Sequence, residues 1–337
     1  MKAYELQGPQ GIDGLALVDK PKPTPGPGQV LVKLAAATIN YRDLLTVKGG
    51  YGSRQKFPLI PLSDGAGTVE AVGEGVTRWK AGDRVTGSFF EDWTGGEPTE
   101  EKLHTALGGA RDGVLCEYRV FAAHGLVRSP DHLTDAEAAA LPCAGLTAWS
   151  AVVKLGQIKP GQTVLTQGTG GVSLFAVQFA KMNGARVIAT SSSDAKIARL
   201  KEMGADITFN YKTTLDWGKR AREATGRGVD LVVEVGGVGT LNESIRATKI
   251  GGTIAFIGVL AGQPEGQPRI PLMVMQQQRL QGTTVGSVED LQAMANAIAQ
   301  NRMKPVMDKS FPFAQAKDAF AYMASGAHFG KVSIAIG

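Results

Sequence analysis

The stretch that decides the fold is Thr163-Val164-Leu165-Thr166-Gln167-Gly168-Thr169-Gly170-Gly171-Val172-Ser173. A short β-branched and apolar run ends in a cluster of glycines, and a helical pattern follows at once. Val172, Phe175, Ala176, Phe179 and Ala180 fall at i, i+3, i+4, i+7 and i+8, one face of a helix. Gly184 is placed to end that helix. Strand, glycine turn and helix in this order form the context in which a dinucleotide pyrophosphate binds. Gly168 permits the tight turn, and Gly170 lets the backbone approach the phosphates at the positive helix N-terminus. The third glycine position carries Ser173, small enough for close packing of helix on strand. By itself the turn is equally consistent with a glycine-rich bend that holds nothing. The surrounding pattern favours the cofactor.

Downstream the alternation continues. Arg186–Thr190 reads as a strand, Ala195–Met203 as a helix capped by Gly204, and Leu231–Glu234 and Thr253–Ile257 as further strands. Alternating strands and helices predict βαβ units and a parallel sheet. Beyond Pro271 come two helices, Val288–Gln300 and Phe313–Ser325, and a terminal strand, Lys331–Ile336. Upstream, to about residue 122, the chain reads as strand and turn: Gly28–Leu34, Gly65–Gly73 and the turn Ala81–Val85. Phe89–Gly113 is a long polar stretch, too long for a simple connection and therefore functional or mobile. In it Phe89 and Trp93 either cover a substrate or anchor the loop, and anchoring is the favoured role.

Composition narrows the class. At 337 residues two domains are expected. An apolar fraction of 43% is enough for a large core without disulfides or metal. Cys116 and Cys143 are the only cysteines, so no CxxC metal or redox motif is present. A net charge of +5 without clustering gives no nucleic-acid arm. No apolar run approaches the roughly 18 residues of a membrane span, and the N-terminus has no apolar signal core. The expectation is a cytoplasmic protein with neither nucleic acid nor membrane as partner.

The second strand selects the dinucleotide. NAD sites present Asp or Glu about 20 residues after the glycines. Here Ser191-Ser192-Ser193 follow the strand and the first carboxylate, Asp194, comes three residues beyond it. Ser191, Ser192, Lys196 and Tyr211 are candidate partners of a 2′-phosphate, which favours NADPH over NADH. The alternative is a solvated helix start with serine as its cap.

These residues together resemble the medium-chain dehydrogenase/reductase family, with its zinc alcohol dehydrogenases and zinc-free quinone oxidoreductases. The resemblance rests on Asn40-Tyr41-Arg42-Asp43, Pro58-Leu59-Ile60-Pro61, Asp64-Gly65-Ala66-Gly67, Val72–Val76, Gly82–Val85, Pro142–Ala148, the glycine turn, Glu234-Val235-Gly236-Gly237 and His328-Phe329-Gly330-Lys331. It implies an α/β protein: a GroES-like, mostly β catalytic domain from residues 1–122 and 266–337, and a Rossmann doubly wound parallel-sheet domain over 123–265. It implies nicotinamide and substrate in the cleft between the domains. It also implies a homo-oligomer, most simply a dimer, with sheet edges near Thr253–Ile257 as the interface. Beside the turn residues Gly168, Thr169, Gly170, Gly171 and Val172, it adds Thr147, Gly236, Gly258, Val259, Leu260 and Lys331 as candidate cofactor residues.

The departures from the family carry the chemistry. Where zinc members have Cys, His and Cys, this chain has Asn40, Ser63 and Cys143. One thiol and two weak oxygen ligands do not make an ordinary zinc site. The segment of the structural zinc holds no cysteine, and His104, His124 and His132 lack ligand spacing. No metal is expected, and Cys143 reads as a buried structural cysteine. Without zinc to stabilise an alkoxide, a conjugated carbonyl or quinone is the easier substrate. Its new charge delocalises, and hydrogen-bond donors suffice. Asn40, Tyr41 and Tyr51 are the candidate catalytic donors, against readings of Asn40 as a turn residue and Tyr51 as a packing residue. Asp43 is expected to brace this loop. A zinc-free alcohol or aldehyde dehydrogenase and a non-catalytic NADPH-binding sensor or structural protein are the alternatives.

Overall fold

A computed structural model of the chain describes residues 1–50, 55–258, 260 and 267–337. In chain order the elements are β1 (Lys2–Leu6), β2 (Leu15–Asp19), β3 (Gln29–Ile39), α1 (Tyr41–Val47), β4 (Asp64–Val72), β5 (Arg84–Gly87), α2 (Glu100–Leu103), β6 (Tyr118–Ala122), β7 (Leu126–Arg128), α3 (Asp135–Ala139), α4 (Leu146–Trp149), β8 (Thr163–Gln167), α5 (Gly171–Met182), β9 (Arg186–Ser191), α6 (Asp194–Glu202), β10 (Ile207–Asn210), α7 (Trp217–Thr225), β11 (Val229–Glu234), α8 (Leu241–Ala247), β12 (Thr248–Phe256), α9 (Ile270–Met275), β13 (Arg279–Gly282), α10 (Val288–Asn301), β14 (Met307–Pro312), α11 (Ala316–Ala324) and β15 (Lys331–Ala335). None of the helices among the described residues is long and apolar enough to cross a membrane.

The elements form two compact units. One comprises Met1–Leu146 with Val285–Gly337, the other Thr147–Thr284. The sequence reading places the seams at 122/123 and 265/266. They lie further along because β7 pairs with β5 and α3 packs on β3 and β4, which keeps 123–146 in the first unit. At the other seam β13 joins the parallel sheet of the second unit beside β12.

The first unit is built on a seven-stranded sheet in the order β14-β15-β3-β4-β5-β7, with β6 also paired to β3. Its long strand β3 pairs antiparallel with β4, β6 and β15, so the C-terminal strand is bound in register to the N-terminal half: Val332 opposite Ile39 and Ser333 opposite Thr38. That pairing brings Lys331 next to the end of β3, almost 300 residues away in sequence. The core beneath contains Leu34, Ile39, Leu62, Phe121, Phe320 and Ile334.

The second unit is a six-stranded all-parallel sheet in the order β10-β9-β8-β11-β12-β13. Numbered within the unit this is 3-2-1-4-5-6, the doubly wound order whose ligand crevice lies at the carboxyl ends of the central strands. Helix α5 buries Phe175, Ala176, Phe179 and Ala180 as the periodicity predicts, and Leu174 and Val177 as well. Phe179 stacks on Phe175 at 5.9 Å and meets Trp149 edge-on at 5.4 Å. Gly184 and Gly204, both at positive φ, follow α5 and α6 where the sequence places their stops. The predicted sheet edge at Thr253–Ile257 is corrected: Thr253–Phe256 lie in β12, bonded on both sides, and the edge strand is β13.

Candidate cofactor site and the polar cluster at Asn40

In the second unit the glycine turn follows β8 directly. Gly168 has φ +72°, a conformation costly for any residue with a Cβ, and its N–H donates to Thr190 O at 2.8 Å. Gly170 is different. It caps α5 at φ −76° and ψ 176°, ordinary extended backbone, and a Cβ built on it meets no atom within 4 Å. Neither conformation nor internal packing requires glycine there. Open space before a helix N-terminus is what a closely approaching pyrophosphate needs. Thr169 is buried, and Gly171 and Val172 open the helix. Ser173, at the third glycine position, is buried and donates its hydroxyl to Gln167 O at 2.6 Å, which explains why a serine fits.

Below this turn lies a polar network that the sequence reading did not single out. The Glu234 carboxyl group, fully buried at the end of β11, accepts from Gln167 Nε2 at 2.7 Å, Gly237 N at 2.9 Å, Thr240 Oγ1 at 2.5 Å and Ser244 Oγ. Gln167 Oε1 in turn accepts from Gly236 N at 3.1 Å. The two residues tie the end of β8 to the Gly236–Gly237 turn. Gly236 and Gly258, candidate cofactor residues from sequence, have internal reasons to be glycine. A Cβ would lie 2.2 Å from Thr240 Oγ1 at the first and 1.7 Å from Val235 O at the second.

At the end of β9, Ser191 is buried and Ser192 half-buried, with no carboxylate at the strand end. Asp194 opens α6 and accepts from Asn210 Nδ2 at 2.7 Å. Ser193 caps α6, as the alternative reading of this segment holds. Tyr211 is exposed, with its N–H on Ser191 O at 3.0 Å, and Lys196 lies half-buried in the first turn of α6. Strand pairing therefore brings Ser191 and Tyr211 together. Thr147 is buried in α4, and Leu260 is half exposed. Val259 and Tyr51 lie outside the described residues.

In the first unit, Asn40, Ser63 and Cys143 are joined by one buried ion pair. Lys331 Nζ donates to Asn40 Oδ1 at 2.6 Å and to Ile39 O at 2.9 Å, and lies 3.7 Å from Asp64 Oδ2. Asp64 accepts from Ser63 Oγ at 2.7 Å and from Cys143 N at 3.3 Å. The sequence reading aims Lys331 at the cofactor. Its ammonium is instead engaged inside this unit, with the side chain 2% exposed. The signal for Asp64 was its place directly after Ser63, but nothing in one dimension paired it with residue 331.

Asn40 follows β3 and is the N-cap of α1. Its backbone N–H donates to Asp43 Oδ2 at 2.8 Å, so Asp43 braces the loop as expected. Full burial pushes the Asp43 carboxyl above its usual range, and Arg42 opposes that rise. Arg42 Nη1 also holds Leu107 O and Gly108 O at 2.9 and 2.8 Å, pinning the long loop to the start of α1. Asn40 Nδ2, by contrast, is buried and has no partner among the described residues. Buried donors are nearly always paired, so this one calls for an acceptor. Tyr41 is exposed. Cys143 is half-buried rather than the fully buried cysteine expected from sequence; burial of its thiol pushes that group well above its ordinary range, with Asp64 adding to the rise.

The 89–113 segment is held by buried aromatic anchors and by ion pairs within and beyond it. Phe89, Phe90 and Trp93 are buried as anchors, and Trp93 Nε1 donates to Gly96 O at 2.9 Å. Glu91 pairs with Arg111 at 2.7 Å and Arg119 at 3.2 Å, and Asp92 pairs with Arg111 and His124. His132 Nε2 lies 2.9 Å from Met303 O. Among the described residues there is no group of three metal-ligating side chains.

Two family profiles match the chain: an alcohol dehydrogenase GroES-like domain over residues 26–131 and a zinc-binding dehydrogenase over 171–300. A zinc-type alcohol dehydrogenase-like protein of Schizosaccharomyces pombe is 45% identical, covering 92% of this chain and 91% of the relative. The chain belongs to the medium-chain dehydrogenase/reductase family. Members of this family similar to it include a chloroplast envelope quinone oxidoreductase homolog of Arabidopsis thaliana, 32% identical over 96% of this chain and 94% of that one. The crystal structure of an NAD-dependent alcohol dehydrogenase superposes with a TM-score of 0.92 at 35% identity, over the whole of both chains. The GroES-like and Rossmann architecture is shared, and the protein is an oxidoreductase.

Proposed function

We propose that this medium-chain oxidoreductase uses NADPH to reduce conjugated carbonyls or quinones without a zinc ion. The observation that carries the reading is Asn40 at a lost metal-ligand position, with a buried amide N–H that no protein atom among the described residues accepts. The donor set around it does not fit zinc. A buried ammonium occupies Asn40 Oδ1 and the Ser63 hydroxyl is spent on Asp64, which leaves Cys143 as the one soft donor at these three positions. When bound, NADPH supplies the hydride. The chain supplies the rest. Gly168–Val172 would hold the pyrophosphate at the α5 N-terminus, with Thr147, Gly236, Gly258, Val259 and Leu260 the remaining candidates. Ser191, Ser192, Lys196 and Tyr211 would hold the 2′-phosphate, where an Asp or Glu at the strand end would repel it. Asn40 donates to the substrate oxygen as negative charge develops there, with Tyr41 and Tyr51 as further candidate donors. The quinone oxidoreductase homolog among the relatives supports this substrate class.

A second reading is a zinc-free alcohol or aldehyde dehydrogenase, favoured by the names of the S. pombe relative and of the NAD-dependent structure. Both readings are tested by following NADPH and NADH oxidation with 1,4-benzoquinone, 9,10-phenanthrenequinone, 2-cyclohexen-1-one and hexanal. Turnover of the first three with NADPH supports the proposal. Turnover confined to hexanal, or a preference for NADH unchanged in Lys196→Ala, overturns it. Tight NADPH binding without turnover would mark a sensor. Stoichiometric zinc in the purified protein would refute the metal-free reading.

We further propose a cytoplasmic homodimer joined through β13. All four residues of this edge strand are exposed, and so are the apolar side chains of Leu280, Val274 and Met275. An unpaired edge with exposed apolar side chains on and beside it suits antiparallel pairing with its own copy about a two-fold axis.

A further inference from the structure

We infer that Lys331 is a positioning residue that acts through Asn40: its ammonium decides which end of the Asn40 amide is offered and strengthens that end as a donor. The inference rests on the reading of Asn40 above and adds the residue that prepares it.

The orientation follows from donor counting. A lysine ammonium has three N–H donors and no acceptor. The Asn40 atom 2.6 Å from Nζ must therefore be the oxygen; an amide flipped by 180° would set NH₂ against NH₃⁺. Nζ also donates to Ile39 O at 2.9 Å and is ion-paired with the Asp64 carboxylate at 3.7 Å, so the ammonium is held from two further sides. Asp64 is itself anchored, by Ser63 Oγ and Cys143 N. Moving Lys331 away would strand a fully buried carboxylate, so the amide is locked with Nδ2 as its open end.

The electronic consequence follows from the same contact. A cation bonded to an amide oxygen draws electron density from the nitrogen, and its N–H becomes a stronger donor. The positive charge thus reaches the substrate through the amide. A ligand at Nδ2 must present an acceptor, and it gains most if that acceptor becomes more negative during reaction. A carbonyl or quinone oxygen taking up charge on reduction fits.

A double-mutant cycle tests this. Lys331→Met, Asn40→Ala and the double variant are compared for kcat and KM with 9,10-phenanthrenequinone and 2-cyclohexen-1-one, and for NADPH affinity by fluorescence. Each single change is expected to lower kcat, about 10²-fold for Asn40→Ala, with NADPH affinity within about twofold. The double variant should be no worse than Asn40→Ala, because Lys331 has nothing to act on once the amide is gone. Multiplied losses would overturn the inference. A lysine that merely holds the fold would cost the same in both backgrounds. Lys331→Arg, which keeps the charge, should retain more activity than Lys331→Met. A readout independent of turnover is the ¹⁵N–¹H spectrum of the wild type, with the Asn40 side-chain signals identified by their loss in Asn40→Ala. Signals downfield of ordinary asparagine amides support the inference, and signals at the position of a solvated amide overturn it. If the wild type turns over none of the acceptors, the functional proposal falls, while these signals still decide the role of Lys331.

Discussion

Gly170 and Gly168 look alike in sequence, and the structure separates them. Gly168 is glycine for its backbone conformation, whereas Gly170 has an unstrained backbone and empty space where a Cβ would sit. Gly170→Val is therefore expected to leave the melting temperature nearly unchanged while weakening NADPH binding by at least about tenfold, as a side chain intrudes on the pyrophosphate. Thermal melts and a fluorescence titration of the same sample check both halves. A variant that binds as wild type would remove the phosphate from this turn. The thiols give a second test. Burial pushes Cys116 up to about 12 and Cys143 well above its usual range, so both are protonated at neutral pH. Iodoacetamide at pH 7 should spare the buried Cys116 in the native protein, label the half-buried Cys143 only slowly, and modify both after unfolding. Rapid native labelling of Cys143 would contradict the environment described for it.

At the scale of elements, two networks hold the pieces in place. The Glu234 carboxyl group joins β8, β11 and the start of α8 through four donors. Glu234→Ala strands those donors in the interior, and we expect a loss of about 3 kcal/mol in denaturant unfolding, together with weaker NADPH binding. An unchanged midpoint would show that water replaces the carboxyl group. The second network fastens the long loop. Partial burial raises the Asp92 carboxyl, but hydrogen bonds from His124 and Arg111 outweigh it and hold the group below its usual range. A depressed folded-state value stabilises the protein above the unfolded-state value near 4 and is lost as pH falls through the lower, folded one. Melting temperatures measured from pH 6 down to pH 3 should fall less steeply in Asp92→Asn than in the wild type, and equal slopes would refute the role. Alternation of pattern made β8, α5, β9 and β11 legible in sequence, because each has one dominant period. The networks were not legible. Their members are spread from Gln167 to Ser244 and from Glu91 to His124, and only folding brings them within hydrogen-bond reach.

The whole molecule poses the question of its partner. β12 was expected to carry the interface, but it is an interior strand, and β13 takes the edge. β13 escaped the sequence reading because Arg279-Leu280-Gln281-Gly282 is short and polar for a sheet strand. If it pairs with its copy, Leu280→Lys places a charge from each subunit at the two-fold contact, and light scattering on a size-exclusion column should report a monomer. A dimer that survives that change would place the interface elsewhere. The two units retain separate hydrophobic cores, so the variant is expected to stay folded.

The sequence alone determined the class of protein: strand, glycine turn and helix are local, and their residue types and spacing follow from backbone conformation and helical periodicity. It also determined that Asn40, Ser63 and Cys143 stand where zinc ligands would, since a donor's identity is written in one position. Only the tertiary structure decided what joins these three positions. Pairing β15 against β3 sets Lys331 beside Asn40 and Asp64. A buried ion pair belongs to no segment: it exists once distant strands exclude water and leave each charge the other as its partner.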